Sequence, residues 1–138
     1  VAPKEIIRGM NKLHSHLSGN SCTFAQYGAL AALETSEQDL NEIIEDLETR
    51  RDFAYNLCKD IFPKTNKPDG AFYLYPNIED FLGERFATDV DLAKFILMKA
   101  NVAILPGSFF GTPGYLRFSF AASIENIKAA FKQIKEAL

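Results

Sequence analysis

Residues 106–121 read PGSFFGTPGYLRFSFA, a loop with three glycines and two prolines that runs straight into an apolar strand. Side chains alternate between the two faces of a strand. Over 115–120 that alternation gathers Leu116, Phe118 and Phe120 on one face and Tyr115, Arg117 and Ser119 on the other. The first is a core face. The second holds the only charge of the stretch, Arg117, beside a phenol and a hydroxyl, just after glycines that let another group come close. A guanidinium is costly to hold in such a place unless it is paired. Two readings follow. Arg117 pairs with a neighbouring helix or covers a sheet edge, or its planar fork takes a ligand carboxylate bidentately. The glycine approach, the flanking aromatics and the lack of a local carboxylate favour the ligand.

Working outward, Ser123 caps a last amphipathic helix with Ile124, Ile127, Ala130, Phe131, Ile134 and Leu138 on one face. Upstream, Val102–Leu105 (VAIL) reads as a short buried strand. Thr88 with Asp91 is a capping-box pair that opens a helix running to about Ala100. Ala71–Tyr75 (AFYLY) is a strand with apolar groups on both faces, expected to be central or covered on both sides, and Pro76 ends it. Residues 63–70 (PKTNKPDG) form a polar turn. The order β, α, β, β, α predicts an α+β, two-layer α/β fold in which helices cover a small, mostly antiparallel sheet.

The first half is helical. Pro3 suits a first turn, and Ile6, Ile7, Met10, Leu13, His14 and Leu17 recur at helical spacing. SGNSC, residues 18–22, breaks the pattern. A helix over Thr23–Leu33 is rich in small residues, which suits tight packing. Ser36 with Asp39 opens a further helix to Phe62, where Pro63 stops it. Leu40, Ile43, Ile44, Leu47, Ala54, Leu57, Cys58 and Ile61 form its stripe, interrupted by Arg50 and Arg51. Roughly 26 residues make a rod on the order of 39 Å. A helix that long in a chain this short is expected to bridge two bodies.

Composition narrows the function. A net charge of −3 gives no electrostatic case for nucleic acid or an anionic membrane. No apolar run approaches the ~20 residues of a membrane span. Cys22 and Cys58 are too few for a disulfide framework, so a reducing cytoplasm is expected. The chain opens on Val1 with neither Met nor leader, and is expected to be a stretch of something longer. His14 and His16, two apart, point to different sides of a helix and make a poor metal pair. Gly107, Gly111 and Gly114 lead into a strand rather than a helix, which favours turn formation over phosphate binding. The carboxylates of the long helix read as a solvated face. No Lys sits in an apolar setting that would lower its pKa.

Three motifs together resemble a family. VAPKEIIRGMNKLHSHLSGNSCTFAQYGALAAL (1–33), PDGAFYLYP (68–76) and VAILPGSFFGTPGYLRFSFAASIENIKAAFKQI (102–134) are similar to the C-terminal part of class I pyridoxal-phosphate-dependent aminotransferases of the bacterial aspartate aminotransferase kind. The resemblance implies the small domain of a fold-type I enzyme that exchanges an amino group between an amino acid and a 2-oxo acid. It implies that residues 1–35 end the large cofactor domain, that 36–62 link the domains, and that 63–138 form the small domain. Arg117 would bind the substrate α-carboxylate, with Phe72 close to the substrate pocket. Ser18 and Asn20 would lie near the cofactor of the partner subunit in a homodimer. The Schiff-base lysine would precede Val1, leaving this segment inactive alone and prone to self-association. One departure is Ser21, near a place where the family carries proline. The competing reading is a non-enzymatic module that binds a carboxylate or uses the long helix for interaction. Lyase or synthase chemistry on the same scaffold is a third.

Overall fold

The computed structural model describes residues 2–138. The chain forms two compact units, one running to Leu40 and the other Asn41–Leu138. The first contains α1 (Lys4–Leu17) and α2 (Thr23–Leu33), the helices that the apolar spacing predicts. The next helix, α3, spans Glu37–Ile61, 25 residues. At its start the Asp39 amide donates to Ser36 Oγ (3.2 Å) and the Ser36 hydroxyl donates to Asp39 Oδ2 (2.7 Å). These contacts satisfy an amide that the first helical turn leaves without a partner.

The second unit holds β1 (Tyr73–Leu74), α4 (Asp89–Ala100), β2 (Leu105–Pro106), β3 (Leu116–Ser119) and α5 (Ile124–Ala137). The three strands form an antiparallel sheet in the order β1-β3-β2. Tyr73 pairs with Ser119, and Leu105 with Arg117. α4 opens on the Thr88–Asp91 capping box, and Ser123 Oγ accepts from the Asn126 amide at the start of α5. α4 ends on Asn101, in the left-handed conformation that stops a helix.

Two expectations about strands need correction. Ala71–Tyr75 is not a central strand. The paired part is Tyr73–Leu74, at the sheet edge, and β3 is the middle strand. The edge position follows from the strand order, since β3 pairs on both sides, and the left-handed Ala71 (φ 62°) keeps the extended pairing from reaching further toward the N-terminus. Val102–Leu105 is not a buried strand either. Pairing starts at Leu105, which is 41% exposed, and of the four residues only Ile104 is buried.

The core lies beneath the sheet. Leu116, Phe118 and Phe120 are buried on the face their alternation assigns. α5 meets them with Ile127, Phe131 and Ile134, at helical spacing, and α3 with Ala54 and Cys58, joined by Phe62 just past its end. Phe118 stacks on Phe131 (5.5 Å between centroids) and tilts against Phe62 (5.7 Å). Each such side chain stabilises the fold by roughly 1.5–3 kcal/mol on burial. The two arginines that interrupt the α3 stripe have structural work. Arg50 pairs with Asp46 and donates to the Ala122 carbonyl (3.0 Å) just after β3. Arg51 pairs with Asp52, which also takes Lys67 from the polar turn.

Candidate substrate carboxylate site

β3 carries Arg117 on its non-core face, half-buried. Its guanidinium carbon lies 4.1 Å from the centroid of the Phe110 ring and 5.2 Å from that of Tyr73. Cation–π contacts of this kind hold a guanidinium without neutralising it. Among the described residues, no carboxylate reaches ion-pair distance of Arg117. The charge is therefore oriented by aromatic rings and has no acidic partner among the described residues. It borders a cavity of about 310 Å³ lined by Tyr73, Tyr75, Phe110, Thr112 and Arg117. One cation among aromatics suits an anion with planar oxygens, since the guanidinium fork matches a carboxylate.

The loop before β3 shapes this cavity. Gly107–Phe110 forms a single 3-10 turn that ends at Gly111, with φ of 76°. The Gly107 amide donates to the Tyr115 carbonyl (2.7 Å), and the Thr112 amide donates to the Gly107 carbonyl (3.0 Å). Tyr75 stacks on Tyr115 at 5.2 Å, and its hydroxyl donates to the Gly107 carbonyl (3.4 Å). A Cβ at Gly107 would come within 2.3 Å of the Thr112 carbonyl oxygen and 2.8 Å of the Tyr75 hydroxyl. Glycine is required there by space. At the other end, the Ser108 amide donates to Asp89 Oδ2 (2.7 Å) at the start of α4.

The residues singled out in the sequence fall in different places. Phe72 does not line the Arg117 cavity. It is 55% exposed, and its carbonyl accepts the Phe120 amide (2.9 Å). Ser18 and Asn20 belong to the first unit and are exposed; the Ser18 hydroxyl is hydrogen-bonded to His14 Nδ1 (2.9 Å). The lining residues Tyr73, Tyr75, Phe110 and Thr112 carried a partial signal. Tyr73 and Tyr75 are two apart and so share a strand face. Phe110 and Thr112 carried none, because a turn brings them to the site.

This architecture, helix-rich with a small antiparallel sheet, is that of solved aminotransferases. An aspartate aminotransferase from Rhizobium meliloti superposes with a TM-score of 0.88 at 31% identity, covering 99% of this chain and 36% of that one. An aromatic aminotransferase from Pyrococcus horikoshii gives a TM-score of 0.86 at 31% identity, over 99% and 36%. The chain belongs to the aminotransferase class I and II family, whose sequence model it matches over residues 1–134. It is 42% identical to a probable aspartate/prephenate aminotransferase of Aquifex aeolicus, covering 100% of this chain and 36% of the relative. It is 38% identical to an aspartate aminotransferase of Bacillus subtilis, over 96% and 34%. The chain thus spans about a third of the length of these relatives.

Proposed function

We propose that this chain is the C-terminal segment of a pyridoxal-phosphate-dependent aminotransferase acting on aspartate or a similar amino acid and a 2-oxo acid. On this reading, residues 1–35 finish the cofactor domain, 36–62 link the domains and 63–138 form the small domain. The whole enzyme is a homodimer working in the cytoplasm, in keeping with the free thiols of Cys22 and Cys58. The observation that carries the reading is the Arg117 guanidinium, held between aromatics beside an open cavity with no acidic partner among the described residues.

Arg117 takes the α-carboxylate of the substrate in its fork. Two parallel N–H···O bonds fix the plane of the carboxylate and so the direction of the Cα–H bond. Tyr73, Tyr75 and Phe110 keep water from one side of that contact, which strengthens it. Pyridoxal phosphate, when bound, supplies the electron sink for proton loss at Cα. The Arg117 cavity fits the substrate end of that reaction and not the cofactor, because no amine lines it and every Lys of the chain is exposed. On this reading the Schiff-base lysine belongs to another part of the enzyme. Ser18 and Asn20 remain the proposed contacts toward the partner subunit's cofactor, and Phe72 a neighbour of the substrate pocket.

The test is Arg117→Lys in the full-length enzyme. Loss of the bidentate fork lowers kcat/KM roughly 30- to 1,000-fold while the fold is kept. A value near wild type removes Arg117 from the site.

A further inference from the structure

We infer that Asp89 is a positioning residue for the carboxylate clamp, acting through the turn Gly107–Phe110; this rests on the reading of Arg117 given above. Asp89 is the first residue of α4 and is 3% exposed. A buried carboxylate is costly unless it is paired or hydrogen-bonded. Among the described residues, no cation pairs with it. Each of its oxygens takes a backbone amide instead: Oδ1 from Val90 at 3.1 Å and Oδ2 from Ser108 at 2.7 Å.

The start of α4 does not account for this burial. The Thr88–Asp91 capping box already serves that helix end, with bonds in both directions. The Val90 bond is local. The Ser108 bond crosses 19 positions of sequence and lands on the second residue of the turn that delivers Phe110. A carboxylate accepting from an amide forms one of the shorter and stronger neutral-donor bonds. The contacts form a continuous line: Asp89 holds Ser108, the turn carries Phe110, and the Phe110 ring lies 4.1 Å from the Arg117 guanidinium carbon. Asp89 touches no substrate. It fixes the ring that fixes the clamp.

Asp89→Asn tests this in the full-length enzyme with L-aspartate as substrate. Asn keeps the volume but has one acceptor oxygen, so one of the two amides loses its partner. The KM for aspartate rises about two- to three-fold, no more than loss of the Phe110 ring itself would cost, and kcat changes less than two-fold. Phe110→Ala raises KM in the same direction. The double variant is no worse than the poorer single, because both changes act on one line of contacts. An unchanged KM in D89N, a fall in kcat alone, or singles that multiply in the double variant would overturn the inference. D89A is the harsher change and can unfold the loop; D89N and the double variant keep the test open if it does. Arg117→Lys is measured alongside. If it is near normal, the clamp reading fails and this inference with it. If it is impaired while D89N is unaffected, the inference about Asp89 alone fails.

Discussion

The Arg117 guanidinium carbon lies 4.1 Å from the centroid of the Phe110 ring, and the two residues come from different elements, a strand and a 3-10 turn. The ring orients the charge without cancelling it. That distinction separates an arginine kept for binding from one kept for an ion pair.

Phe110→Ala in the full-length enzyme removes the ring and leaves the charge free to rotate. Cation–π contacts at partly exposed sites are worth about 0.5–1 kcal/mol. Substrate KM therefore rises about two- to five-fold, and Phe110→Tyr stays near wild type. Steady-state kinetics on both variants check this. An Ala variant with unchanged KM would mean that the ring does not set the clamp.

Gly107→Ala is expected to destabilise the second unit by about 1–3 kcal/mol, the usual cost of forcing a group into filled space. The new methyl would meet the Thr112 carbonyl oxygen and the Tyr75 hydroxyl together, and one of them is backbone. A urea denaturation midpoint at or above that of wild type contradicts the packing described for this turn.

Burial pushes the Cys58 thiol from 9.0 up to about 12, partly offset by its hydrogen bond with Thr65. The folded state therefore keeps a proton that the unfolded chain releases. The resulting stability is fully present below about pH 9 and declines as pH rises from there toward 12. Between pH 8 and pH 10.5 the wild type loses more unfolding free energy than Cys58→Ala, although the variant starts less stable. A thiol reagent at pH 8 labels the exposed Cys22 at once and Cys58 only after denaturation. Equal labelling rates would refute the burial.

Studied on its own, the chain is expected to self-associate. Ile6, Met10, Leu13 and Leu17 form one exposed stripe on α1, and Phe24 and Leu33 are exposed on α2. Apolar surface of that extent favours association. Sedimentation shows oligomers for wild type and a smaller species for Leu13→Glu with Leu17→Glu. A monomeric wild type counts against it.

What the sequence alone determined is what short-range physics controls. Apolar spacing and capping residues set the helices: α2 spans the residues its pattern predicts, Thr88–Asp91 forms its capping box, and Ser123 caps α5. Period-two alternation assigned Leu116, Phe118 and Phe120 to the core and Arg117 to the other face. These depend on neighbours within a few residues, so the linear order contains them. The strand order was not legible, because a two-residue strand holds too little pattern to say which partners flank it. The apolar run at Ala71–Tyr75 suggested a covered strand, but β3 takes the middle position and leaves it at the edge. At the site, Arg117 was visible from its alternation and its glycine approach. Phe110, Thr112 and Asp89 were not, because their roles exist only once a turn folds back on a helix start. Only the tertiary structure joins Asp89 to Ser108, and Phe110 to Arg117. Those contacts link different elements, and no periodicity within one element encodes them.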